Sequence, residues 1–278
     1  MCSSDLPIMI SQLVAAASLS ITMNAASDVL SAGPLPDESL LRMQRRLESL
    51  ATTNRIMAAL VGEICLSREI FRGSPASQSL AMGMGSAAGG SAGPQLAAAF
   101  MMGLYSVLGL NAADERFYLA QLDRMIAASR LPWPQPILGA PRIDDLFKNG
   151  DGDDGLPPVI KGRLKSRMML PAMDGFATKD GETLARLRMG AAMLAIERFR
   201  ARNGRIPGRL DELVPGFIET VPLDPFDAQP IRYKPSGNGY SLHCIGKDRK
   251  DDDARPPERP TKNGFTQPEP DIVLRVRR

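Results

Sequence analysis

Histidine is almost missing from this 278-residue chain, whose single copy is His243. Its three cysteines, Cys2, Cys65 and Cys244, are far apart, match no CxxC spacing and are too few for a disulfide scaffold. They are expected to be a terminal thiol and two buried small hydrophobes. Neither charge sign dominates. The 34 Lys+Arg and 31 Asp+Glu leave a net +3, with bases scattered among acids, which argues against nucleic acid as a partner. Aromatics are only 5% of the chain against 15 methionines, so the helical cores should be filled by Ala, Leu and Met. Motifs for catalysis are scarce too. There is no GxxxxGK[ST], HExxH or GxSxG, and Gly83, Gly85 and Ala88 form a GxGxxA with no strand before it. Neighbouring strand residues point to opposite faces, so His243 and Cys244 cannot act as a nucleophilic pair, and Ser241 beside His243 lacks a third group. The chain reads as a non-enzyme, and His243 as a structural or surface residue.

Long apolar runs are also short or diluted. Residues 6–27 carry no charge but include Ser11, Gln12, Ser18, Ser20, Thr22, Asn24 and Ser27, below the apolar density of a membrane span. An amphipathic core helix is expected there. LAAAFMMGLYSVLG, residues 96–109, is shorter than the ~20 residues a span needs and predicts a buried helix. MCSSDL, residues 1–6, translates the tail of a common sequencing adapter after a start codon. These residues are expected to be an assembly artefact, with the natural protein beginning upstream.

With 44% hydrophobic residues the chain can fill one large or two smaller cores. Apolar residues at helical spacing predict one or two helices over residues 36–71, a glycine-rich connection over 74–94 and a helix opening near Asn111. The prolines of LPWPQP, which encloses the only tryptophan, Trp133, end that helix. NGDGDDG at 149–155 misses the EF-hand spacing, with Asp154 where glycine is required and Ile160 at position twelve; it reads as a polar turn. The clearest helix is GETLARLRMGAAMLAIERFRARNG. Its stripe of Leu184, Leu187, Ala191, Leu194 and Ala195 has the 3.6-residue period, Arg198, Arg200 and Arg202 crowd an end that suits positive charge, and Asn203-Gly204 stops it.

Beyond it the character changes. Residues 231–233 and 240–245 are strand candidates joined by PSGNG, and DIVLRV at 271–276 is a third. The order ERFRARNGRIPGRLDELVP, VPLDPFDAQPIRY, GYSLHCIGKDRKDD, DIVL resembles the soluble part of the major pseudopilin of bacterial type II secretion systems, over about residues 183–278. It is also similar to uncharacterised bacterial proteins in which such a module follows a helical region, as FYLAQLDRMIAASRLPWP suggests here.

The expected fold is therefore α+β: a helical region over 1–178, then a pseudopilin-like module over 179–278 with one long helix on a small antiparallel sheet. Leu184, Leu187, Leu194 and Phe199 should meet Ile231, Tyr233, Leu242, Val273 or their neighbours. The resemblance implies a non-catalytic envelope protein with a structural, assembly or binding role, an extracytoplasmic C-terminal module, envelope or secretion-related partners and a membrane anchor upstream. The processing site and continuous N-terminal hydrophobic helix of a pseudopilin have no match, and about 180 residues of helical sequence come first. Pseudopilins hold calcium in the loop between their last strands, so the resemblance makes Asp248, Asp251, Asp252, Asp253 and Asp271 candidate ligands, with Arg249 where the family turn has glycine. The same acids also read as a solvated loop with local ion pairs. The alternative function is a soluble enzyme or regulatory domain with its site in the helical region near Trp133, marked by a deep polar pocket.

Overall fold

Prolines and glycines cut the apolar periodicity into the observed elements. The computed structural model describes residues 8–81, 92–138, 162–173, 175–254 and 271–278. Among them the helices are α1 (Met9–Ala32), α2 (Asp37–Ala51), α3 (Arg55–Arg72), α4 (Pro75–Ala81), α5 (Ala92–Val107), α6 (Leu110–Ser129), α7 (Gln135–Leu138), α8 (Leu164–Met169) and α9 (Phe176–Asn203). The strands β1 (Arg232–Ser236), β2 (Gly239–Cys244) and β3 (Ile272–Val276) form one antiparallel sheet in that order. The fold is α+β. The expected turn at residues 149–155, the GxGxxA segment and residues 1–6 lie outside the described residues.

The chain divides into two units: Met1–Gln12, Arg55–Leu131 and Leu138–Ala177 in the first; Leu13–Asn54, Pro132–Ile137 and Thr178–Arg278 in the second. The last cut is next to the boundary read from sequence. The second unit, however, also recruits α2 and most of α1, because Met23, Leu30, Leu40 and Leu47 enter the same core as α9. A β-carbon on Gly190 of α9 would lie 2.7 Å from Met23 Sδ and 3.0 Å from Leu47 Cδ1, so the missing side chain lets these helices approach.

The sheet covers that core with one face. Tyr240, Leu242 and Cys244 of β2 and Ile272, Leu274 and Val276 of β3 point inward with Leu187, Leu194 and Phe199 of α9. Val273 itself is only half-buried: strand alternation starting from Ile272 turns it to the opposite face, and its neighbours Ile272 and Leu274 take the core positions. The β1–β2 turn has two residues, Gly237-Asn238, with Gly237 at φ +57°. Arg198 is not a free charge at the helix end but is buried, donating to Asp37 at 2.9 Å and Gln44 at 3.1 Å. Neighbouring Glu197, also buried, accepts from the Tyr240 hydroxyl at 3.0 Å and faces Arg278 at 3.0 Å.

The helix expected to be buried over residues 96–109 has exposed apolar side chains, and the amphipathic core helix expected over 6–27 buries one side. Among the described side chains of α5, Met102 and Tyr105 are covered, while Phe100, Leu104 and Val107 are exposed. In α1, Met23, Ser27 and Leu30 are buried on one side, while Val14, Ile21 and Val29 are exposed. By length and composition α1 could cross a membrane, and its most apolar stretch is 17% buried, unlike a core helix. Ser27 Oγ donates to the Arg275 carbonyl and Ser31 Oγ accepts from Arg277 N–H, so α1 lies along the end of β3. Of the cysteines, Cys244 is buried and free, whereas Cys65 is half-buried and disulfide-bonded.

Candidate functional site

Alternation along β2 sends Ser241 and His243 to the face opposite the core. Register places Arg232 directly across from His243 on β1 and Val273 across from it on β3. His243 is nevertheless fully buried, because residues of the loop after β2 and the one before β3 meet it there. Its Nε2 is 3.3 Å from Asp251 Oδ1 and 3.9 Å from Asp271 Oδ2. Its Nδ1 is buried without a partner.

The carboxylates are oriented by backbone. Asp271, buried at the entry to β3, accepts from Asp252 N–H at 3.3 Å and Ala254 N–H at 2.8 Å. Asp251 Oδ1 accepts from Asp253 N–H at 2.9 Å; that bond, with His243 and Arg232 nearby, holds its carboxyl below the usual range. Arg232 gathers the remaining acids, at 2.7 Å from Asp224 Oδ2, 2.5 Å from Asp227 Oδ2 and, through Nε, 3.4 Å from Asp251 Oδ2. Asp224, with no exposed surface, also accepts from Phe226 and Ile245 N–H groups. Burial raises its carboxyl above the ordinary range despite those bonds. Four carboxylates thus surround one guanidinium and one imidazole.

Of the five acids the resemblance makes calcium ligands, Asp251 and Asp271 converge and three do not join them. Asp253 pairs with Lys234, which lowers its carboxyl. Asp248 Oδ1 accepts from Lys250 N–H at 3.1 Å, while its Oδ2 is buried without a partner. Asp252 contributes its N–H to Asp271. Calcium takes six to eight oxygens, and these residues instead bring two carboxylates to an imidazole nitrogen, a donor set that does not fit calcium.

Sequence reasoning missed Asp224, Asp227, Arg232 and His243 as members of one cluster. Signals were available for part of it. DPFD contains two Asx turns, with Phe226 N–H on Asp224 and Gln229 N–H on Asp227, and a two-residue hairpin turn fixes Arg232 opposite His243. What brings Asp271 there is tertiary.

The first unit has its own polar centre. Lys165 is fully buried and donates to Ile70 O and Gln78 Oε1, both at 2.8 Å, and to Asn111 Oδ1 at 2.5 Å. Buried Asp114 accepts from the Tyr105 hydroxyl and from Lys165 N–H, both at 2.7 Å, and from Ser166. Burial lowers the Lys165 ammonium to about 8 against the pull of Asp114 and Glu115. Each ammonium hydrogen has an acceptor, so this is a structural clasp. Trp133, suggested as the neighbourhood of an enzyme site, lies with Ile137 and Phe226 against Gly181. A groove of about 820 Å³ in the second unit runs between α2, α9 and residues 215–223. Two of its arginines are engaged, Arg198 as above and Arg188 on Leu223 O at 2.6 Å.

Comparison with family models, curated proteins and solved structures returned no significant match.

Proposed function

We propose that the protein is a non-catalytic bacterial envelope protein whose residues 179–278 form a pseudopilin-like module, placed outside the cytoplasm and used for assembly or binding with envelope or secretion-related partners. The supporting observation is the order of elements over the last hundred residues: a 28-residue helix, a short 3₁₀ turn at Leu210–Leu213, a β-hairpin, then a third strand reached through a long acidic connection. The connection returns to the sheet through Asp271, and bringing its acids together beside His243 supports a cation-holding reading of this loop. The exposed apolar side of α1 suits a protein at a membrane, and the groove beside α9 offers a concave surface for a partner segment.

The experiment is a pair of reporter fusions after Arg278 in the native reading frame. Alkaline phosphatase, active only after export, should give activity in intact cells, and β-galactosidase at the same place should not. The reverse pattern would refute an extracytoplasmic module.

A further inference from the structure

We infer that His243, Asp251 and Asp271 form a site for a divalent transition ion of the zinc class. This builds on the cation-holding part of the reading above and does not depend on location in the cell. The three donor atoms lie within 4.8 Å of one another. Their separations from Nε2, 3.3 and 3.9 Å, are long for charge-assisted hydrogen bonds, which run about 2.7–2.9 Å. Tetrahedral bonds of about 2.0–2.2 Å put neighbouring ligand atoms roughly 3.3–3.6 Å apart. The 3.3 Å separation equals the edge of a coordination tetrahedron and the 3.9 Å one lies a few tenths of an ångström beyond it, so a small inward movement of Asp271 would close the three donors on one ion.

Electrostatics favour the same occupant. Arg232 neutralises part of the charge of Asp224 and Asp227 and touches only the Oδ2 side of Asp251, so Oδ1, which accepts one N–H from Asp253, keeps a lone pair for an ion. Four carboxylates face one guanidinium and one imidazole, so the cluster keeps a surplus of carboxylate, which a dication balances. His243 can offer Nε2 and nothing else, since its other nitrogen meets no polar group. All three donors are held by backbone: His243 by pairing on both sides of β2, Asp251 and Asp271 by N–H donors. Imidazole with carboxylates suits zinc and its neighbours, whereas calcium prefers oxygen alone. The exposed side of Asp251 leaves room for a water as fourth ligand.

The test uses the full chain, freed of metal by chelator and titrated separately with zinc and calcium chlorides, followed by calorimetry and thermal unfolding. One zinc per chain is expected, with the melting temperature raised by roughly 5 °C or more at a hundredfold excess over Kd, and calcium producing no such rise. Asp251→Asn, at an exposed position, and His243→Gln should each weaken zinc at least tenfold, and cobalt(II) should acquire visible absorption bands in the parent but not in Asp251→Asn. Zinc binding undiminished in both variants, or no stoichiometric zinc, overturns the proposal. Binding of calcium alone overturns it while keeping the loop as a cation site. Binding of neither ion removes both.

Discussion

Lys165 makes a pH experiment on the first unit quantitative. In the unfolded chain its ammonium titrates near 10.5, whereas in the fold burial lowers it to about 8. Below about pH 8 both states hold the proton, and the burial penalty is constant. Between the two values the unfolded state binds more protons, so stability rises with pH. From pH 7 to about pH 9.5 the gain from this one group is about 2 kcal/mol, since each tenfold difference in proton affinity between the two states is worth about 1.4 kcal/mol. Other groups oppose it: burial raises the Cys244 thiol, which loses stability as pH climbs through the ordinary thiol range. The difference between the parent and Lys165→Met isolates the lysine. Methionine keeps the length but strips the donors from Ile70, Gln78 and Asn111, at a cost of about 1–3 kcal/mol near pH 7 after relief of the buried charge is counted. Urea unfolding followed by circular dichroism at several pH values should show the parent pulling ahead of the variant as pH rises. Parallel curves, or a variant more stable than the parent at pH 7, would refute the assignment of a penalised, clasped cation.

Substitutions at three further positions probe the second unit. Gly239→Ala drives a β-carbon into the Val276 carbonyl oxygen, a backbone atom inside the van der Waals limit, and should cost about 2–4 kcal/mol in urea titration. Glu197→Ala removes the acceptor shared by Tyr240 and Arg278 and should lose about 2–4 kcal/mol by thermal unfolding, with Glu197→Gln recovering part of it. Gly190→Val places branched carbons between Met23 and Leu47 and should cost about 1–3 kcal/mol, while Gly190→Ala, which meets only side-chain ends, should cost less.

The parts readable from sequence were those fixed by local rules. Asn203-Gly204 ends α9 as expected, because a left-handed stop needs only neighbouring residues, and Gly204 has φ +69°. The three strands follow from apolar and β-branched residues flanking turns. Which of Val273 and its neighbours faces the core is left open by the sequence, because period two gives two choices of face and the inward one is set by Ile272, at the strand's first position. Lys165 gave no signal, since a lysine at a helix start is normally solvated and its three acceptors come from α3, α4 and α6. The five-acid loop was visible as a cluster of charge, but its partition into Lys234-paired, backbone-capped and His243-facing carboxylates depends on how β1 and β3 flank β2. Nor could periodicity show that α1 and α2 belong with the last hundred residues, as those contacts cross the whole length of the first unit.

That last arrangement has a consequence for synthesis. Ser27 is bonded to Arg275, 248 residues later, so the second unit is begun early and completed last. At about 5–20 residues per second a ribosome needs roughly 12–50 s to make the intervening chain. During that interval α1 and α2 have been made, but the strands that their core shares with α9 have not. The first unit, whose larger parts are finished by Ala177, can close meanwhile. The apolar faces carrying Met23, Leu30, Leu40 and Leu47 must wait, exposed to whatever is nearby, until the final strand emerges.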